Sequence, residues 1–253
     1  MIERKPISWE SAVQEFRSDP LNAVSVKQNY FDVRVAQAAV RYAKSSEYRA
    51  ISRILGRGAG RALDVGAGRA VTAYALARSG WHVTAIDPDA SGDVGVGAVR
   101  QLIGVPPGAL TAVRADGEHL PFADGSADLV FGRQVLHHLV DLEAGLAEVA
   151  RVLHPAGRAL FVREHVVDDD MQLEAFLADH PLHQMYGGEH AYPLDRYESA
   201  FGAAGLTVTR VYGPLDSMVN FYPGTRARRL AKVALKMTSR EPGRLYSFLA
   251  ERR

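Results

Sequence analysis

The stretch that decides the fold runs from Arg61 to Asp87 and reads RALDVGAGRAVTAYALARSGWHVTAID. Ala62 to Val65 is a short apolar run of the kind that parallel strands show when both their faces are buried. Gly66-Ala67-Gly68 then allows a tight turn close to a ligand, because glycine reaches backbone angles that other residues avoid. Ala70 to Arg78 reads as the helix that follows, with backbone N–H groups facing the bound molecule, and Trp81 to Ile86 reads as a second strand. Asp87 closes the unit about 20 residues beyond the glycines, where a carboxylate can accept both hydroxyls of a ribose. The expectation is a nucleotide site anchored by Asp87.

Two ligand classes use such a turn, dinucleotides and S-adenosylmethionine. The dinucleotide fingerprint G-x-G-x-x-G has a third glycine where this chain has Val71. Asp64 favours the second class, since a carboxylate in the turn would repel a pyrophosphate but attract the ammonium of a methionine moiety. A NAD-dependent oxidoreductase stays open on the turn alone, as does a binding protein that keeps the pocket without catalysis.

Further along come a strand-like segment, Leu110 to Asp116, then Gly117-Glu118-His119-Leu120-Pro121-Phe122, Asp124 to Phe131, and Val135-Leu136-His137-His138-Leu139. With these segments the chain resembles the class I S-adenosylmethionine-dependent methyltransferases, particularly the branch acting on small molecules and lipids. The resemblance implies that Asp116 binds the adenine amino group and that the Gly117 N–H meets the ring. It also matches Asp64, Gly66 and Gly68 to the glycine turn and Asp87 to the ribose. Leu153 to Phe161 looks like the turn into the fifth strand, with Ala156 where a glycine is more usual. The implied fold is an α/β Rossmann-like doubly wound sheet, mostly parallel with an antiparallel edge strand, and with helices on both faces. The implied activity is methyl transfer from S-adenosyl-L-methionine to a small organic, lipid-linked or glycan-linked acceptor, with O-methylation slightly ahead of N- or C-methylation.

With 253 residues, 47% of them hydrophobic, the chain can bury a full core. One domain over 1–253 is expected: a helical cap at 1–58, a cofactor-binding core at 59–165, and substrate-side loops, helices and last strands at 166–253. Cysteine is absent, which excludes disulfides, thiolate metal sites, iron–sulfur clusters and cysteine nucleophiles. No stretch has signal-peptide or membrane-spanning character, so a soluble cytoplasmic enzyme is expected. The net charge of +1 is unevenly placed: Arg226 to Arg253 holds nine basic residues against Glu241 and Glu251, leaving the remainder acidic. A solvated helix is the simplest reading of that tail, and peripheral contact with an anionic membrane is the alternative that suits a lipid-linked substrate. Nucleic acid is disfavoured as acceptor, because Gly132-Arg133-Gln134-Val135 stands where amino-methylating enzymes carry an Asn-Pro-Pro-Tyr motif.

Before the turn, a helical pattern runs from Val33 to Leu55 and ends at Gly56. Tyr30 and Phe31 precede it and either touch the methionine end or the acceptor, or simply pack the helix on the sheet. Strands four and five, Ala127 to Phe131 and Arg158 to Val162, place Arg133, Gln134, Arg163, Glu164 and His165 near the site. Gln134 is assigned to the cofactor. Methyl transfer needs mainly alignment and desolvation, and a histidine base would assist a hydroxyl or an acidic carbon. His165, with Glu164 beside it, is the candidate base, while a packed, hydrogen-bonded role is its plain alternative. His137 and His138 are expected to point in different directions, so that only one faces the cofactor. His180 to Tyr192 is expected to be a polar, aromatic loop over the substrate. No metal is expected, because Pro181 between His180 and His183 argues against a regular helical pair of ligands.

Overall fold

A computed structural model describes residues 7–235 and 241–253. Four helices come first: α1 (Trp9–Ser18), α2 (Ala23–Gln28), α3 (Val35–Ala43) and α4 (Ser46–Leu55). The glycine turn joins β1 (Arg61–Val65) to α5 (Val71–Arg78), and β2 (His82–Asp87), β3 (Leu110–Arg114) and β4 (Ala127–Arg133) follow. Then come α6 (Leu142–Val152), β5 (Leu153–Val166), α7 (Asp170–Ala178), α8 (Pro181–Met185), α9 (Leu194–Ala203) and β6 (Leu206–Tyr212). The last elements are α10 (Met218–Phe221), α11 (Arg226–Ala234) and β7 (Arg244–Arg252).

The strands form one seven-stranded sheet in the order β3-β2-β1-β4-β5-β7-β6. All neighbours up to β5 pair in parallel, and β7 pairs antiparallel to both β5 and β6. Strand order reverses between β1 and β4, and the crevice at such a switch point is where doubly wound sheets bind ligands. β1 sits in the middle of the sheet with four of its five residues buried, Asp64 among them, which is why it shows no alternation of exposed and buried positions.

Two layers of apolar side chains sandwich this sheet. One joins Tyr42, Ile51, Tyr74 and Leu76 of the α3–α5 side to Leu129 and Phe131. The other joins Leu146, Val149, Tyr197 and Phe201 of α6 and α9 to Val130, Phe161 and Phe248. From Val71 to Ala77 every residue of α5 is buried, and its alanines let it lie close to both α3 and the strands. Among the described residues, no helix is long and apolar enough to cross a membrane.

Three local expectations need correction. The Val33-to-Leu55 pattern is two helices, not one: Ser45 breaks it by capping α4, its side chain accepting the Tyr48 N–H at 2.9 Å. The segment between His180 and Tyr192 is not all loop, because Pro181 occupies the first turn of α8, where a missing N–H costs nothing. The helical pattern expected over Thr225 to Met237 is a helix that ends at Ala234, and Met237 lies outside the described residues.

Candidate active site

A cavity of about 830 Å³ opens at the carboxyl ends of the central strands. Of the residues singled out from sequence, Tyr30, Gly66, Gly68, Asp87, Asp116, Gly117, Gln134 and His165 all line it, whereas Asp64 and Glu164 do not.

The glycine turn and Asp87 form one end. Asp87 Oδ2 accepts the Gly68 N–H at 2.8 Å, and its Oδ1 accepts the Asp89 N–H at 2.9 Å. A carboxylate offers about four lone-pair sites, so these two bonds fix the group and leave capacity for two hydroxyl donors. Burial pushes Asp87 up to about 6, against the pull of those two amides and of His138. Gly66 has φ +65°, and a Cβ there would lie 2.3 Å from Val135 Cγ2, so the turn and the segment after β4 approach as only glycine permits. Asp116 and Gly117, just beyond the end of β3, line the same cavity as Asp87.

Asp64 stands behind the wall. It is 1% exposed, paired in register with Ala85 and Phe131, and its Oδ2 makes no hydrogen bond among the described residues. Burial pushes it up to about 8.

The other end is a polar network that starts on α4. Glu47 and Arg133 form an ion pair at 2.7 Å in which Glu47 is fully buried. Arg133 also donates to Gln134 Oε1 at 2.6 Å and lies 5.5 Å from the centre of the Tyr30 ring. With its oxygen engaged, Gln134 presents its amide nitrogen to His165 Nε2 at 3.5 Å, while His165 Nδ1 donates to the Gly243 carbonyl at 2.9 Å. Burial, followed by the neighbouring His137, holds His165 well below the usual histidine range, and with its proton on Nδ1 its Nε2 carries the lone pair that faces the Gln134 amide. Gln134 and Tyr30 hold φ values of +54° and +59°, a left-handed conformation that costs a non-glycine residue about 1–3 kcal/mol and that collects at functional sites.

Glu164 reaches the cavity only through a neighbour. Its Oε1 accepts the Val135 N–H at 3.1 Å, and its Oε2 takes His137 Nδ1 at 2.6 Å and the His137 N–H at 3.4 Å. Burial pushes this carboxyl up to about 7 against those backbone amides. Contrary to expectation, His137 and His138 both line the cavity, because the single 3₁₀ turn Leu136–His138 sets their rings 4.4 Å apart, tilted by 40°. Glu189 joins them from the segment after α8.

Sequence reasoning missed Glu47 and Arg69. Glu47 lies on the same α4 stripe as Ala50 and Ile51, both buried, so an acid on an apolar helical face was the available signal. Arg69, 4% exposed, donates to the Tyr30 carbonyl at 2.9 Å and lies 3.4 Å from Asp93, which Arg17 of α1 also holds at 3.0 Å. These bonds fasten the N-terminal helices over the turn, and nothing in their spacing announces them.

The stretch 63–161 matches the family described as "Methyltransferase domain". Over this stretch the chain carries a methyltransferase domain. Over 98 residues this domain is 39% identical to the demethylmenaquinone methyltransferase of Corynebacterium glutamicum (strain R), covering 39% of each chain. Over 125 residues it is 33% identical to the uncharacterized methyltransferase YcgJ of Bacillus subtilis (strain 168), covering 46% of this chain and 45% of that one. The chain thus spans less than half the length of these curated relatives. In fold it is similar to an S-adenosylmethionine-dependent methyltransferase from Mesorhizobium loti, with TM-score 0.61 and 19% identity over 83% of this chain and 98% of that one. It is also similar to the geranyl diphosphate C-methyltransferase of Streptomyces coelicolor A3(2), with TM-score 0.60 and 13% identity over 98% and 100%. At such identities the likeness is one of fold. S-adenosylmethionine is the cofactor of this domain class, and the Asp87 end of the cavity suits it.

Proposed function

We propose that residues 1–253 act as one catalytic unit that transfers the methyl group of S-adenosylmethionine to an oxygen of a small organic acceptor, free or linked to a lipid or glycan. The observation that carries this reading is a cavity with the Asp87 carboxylate at one end and the His165 imidazole at the other. Asp87 holds the ribose, Asp116 and the Gly117 N–H hold the adenine, and Gly66 and Gly68 let the backbone approach the amino-acid end. Tyr30 and Gln134 flank the methionine portion, and Asp64 supports the turn from behind.

The bound cofactor supplies an electrophilic methyl on a sulfonium. The chain's own part is to align and to dry the site, and to accept one proton. His165 Nε2 takes the proton that the acceptor oxygen loses as it bonds to the methyl carbon, and the electrons of the breaking C–S bond stay on sulfur. Gly243 fixes the His165 ring by taking its Nδ1–H. Glu164 is a positioning residue that acts through His137.

The test is transfer of labelled methyl from S-adenosylmethionine to a panel of hydroxylated aromatic and lipid-linked acceptors. H165Q is expected to lower kcat about 100-fold with little change in KM. Unchanged kcat in H165Q would remove the base from the mechanism, and methylated nitrogen or carbon in the product would replace the oxygen assignment.

A lipid-linked acceptor also needs a route to the cavity. α11 carries Arg226, Arg228 and Lys232 around Leu230 and Val233, which are 49% and 47% exposed. We assign this face to peripheral contact with an anionic membrane. Sedimentation with phosphatidylglycerol vesicles should exceed that with phosphatidylcholine vesicles, and R228E should cost about 1 kcal/mol. Equal sedimentation with both would end this assignment.

A further inference from the structure

His137, His138 and Glu189 bring one potential ligand atom each to within 4.8 Å of the other two. His137 Nε2 and His138 Nε2 both lie 3.7 Å from Glu189 Oε2. That is beyond hydrogen-bond length, but close to the spacing of about 3–4 Å that ligand atoms take around one ion at metal–ligand distances near 2.1 Å.

The hydrogen bonds behind these rings decide what their front atoms are. His137 Nδ1 faces the Glu164 carboxylate at 2.6 Å, a group marked as an acceptor by the two backbone N–H groups that also donate to it. His138 Nδ1 faces the Gly188 carbonyl at 3.0 Å, which can only accept. Both rings therefore carry their proton on Nδ1 and turn the Nε2 lone pair toward a carboxylate. Two lone pairs and an anion converge with no donor among them, an arrangement that a cation resolves. The Glu164–His137 contact is the carboxylate–histidine pairing that orients metal ligands.

His180 is sorted out by the same reasoning. Its Nδ1 accepts the His183 N–H at 3.3 Å, so its Nε2 carries the proton and faces Glu189 Oε1 at 3.8 Å as a donor. At that distance it makes no hydrogen bond to Glu189, and with its proton on Nε2 it is not a ligand.

We propose that His137 Nε2, His138 Nε2 and Glu189 form a binding site for one divalent transition cation of the zinc, manganese or iron class. Two imidazoles and one carboxylate select that class over magnesium or calcium. All three residues line the cavity, so the remaining coordination positions face the space in which the acceptor would lie. The ligand class for those positions is an oxygen of the acceptor. This role rests on the methyl-transfer reading, whereas the cation site itself does not. Glu189 lies 52 and 51 positions beyond the two adjacent histidines, with no helical His spacing, which is why a metal was not expected from sequence.

The experiment uses the full chain, freed of metal and of any affinity tag, titrated with Co²⁺ alone and then with Zn²⁺, by calorimetry and by visible absorption of the Co²⁺ form. S-adenosylhomocysteine binding is measured separately on the same samples. The expected result is one Co²⁺ per chain, displaced by Zn²⁺, lost in H138A and in the isosteric E189Q, and retained in H180Q. E164Q should weaken binding about 10–100-fold. A wild-type chain that binds S-adenosylhomocysteine but neither cation would overturn the site and leave the methyl-transfer reading standing. Co²⁺ binding that survives both H138A and E189Q would overturn the ligand set. Co²⁺ binding without S-adenosylhomocysteine binding would support the site and overturn the cofactor reading instead.

Discussion

The two ends of the cavity are built in opposite ways. The Asp87 end comes from one continuous strand–turn–helix–strand unit, and its key bonds run from backbone N–H groups to a single carboxylate. The imidazole end is assembled from α4, the segment after β4, the end of β5 and the segment after α8, and side chains hold side chains there. Backbone-held chemistry is local and survives in a short motif. Side-chain networks depend on the whole fold, so losing one buried member leaves the others uncompensated.

Breaking the network should give the largest effect. E47A strips Arg133 of its ion partner at a site where the acid is fully buried, and unfolding by denaturant should show a loss of about 3–5 kcal/mol. A loss under 1 kcal/mol would mean that the pair is dispensable and the contrast between the two ends too strong. At the other end, D87A should leave the fold standing and weaken S-adenosylhomocysteine binding about 100-fold, which calorimetry reads directly, since hydrogen bonds to a charged group are worth about 1.5–3 kcal/mol each.

A smaller effect concerns pH. Asp64 is raised to about 8 by burial, above its value in the unfolded chain. Between those two values the folded state holds a proton that the unfolded state has released. The contribution of Asp64 is therefore fully present below the unfolded value and is lost as pH rises to about 8, by at most about 1.4 kcal/mol per pH unit. D64N should flatten the stability profile in that window, and a profile identical to wild type would show that Asp64 is ionised in the fold. Asp87, raised to about 6, titrates with the opposite sign for binding: cofactor affinity should fall as pH drops below about 6, when the carboxylate that accepts the ribose hydroxyls is neutralised.

The contrast also explains what the sequence made legible. Val65 to Asp87 could be read because the strand, the turn and the carboxylate are neighbours in the chain with fixed spacing. The burial of β1 and the alternation of strands and helices carried the sheet in the same way. Glu47 and Arg69 could not be read, because each acquires its role only from partners that the fold supplies: Arg133 and the Tyr30 carbonyl. His137 and His138 show the same limit at short range. Adjacency in a regular helix would separate them, and only the single 3₁₀ turn brings both rings to one wall.

The central claim is that this cavity takes an S-adenosyl ligand through Asp87. Thermal unfolding of the wild-type chain and of D87A, each with S-adenosylhomocysteine or NAD, tests it most directly. A ligand specific for the folded state at about 100 times its dissociation constant stabilises it by about 2.7 kcal/mol. The account predicts a raised Tm for the wild type with S-adenosylhomocysteine alone and little change for D87A at the same concentration. A rise with NAD and none with S-adenosylhomocysteine, or an equal rise in D87A, would contradict it.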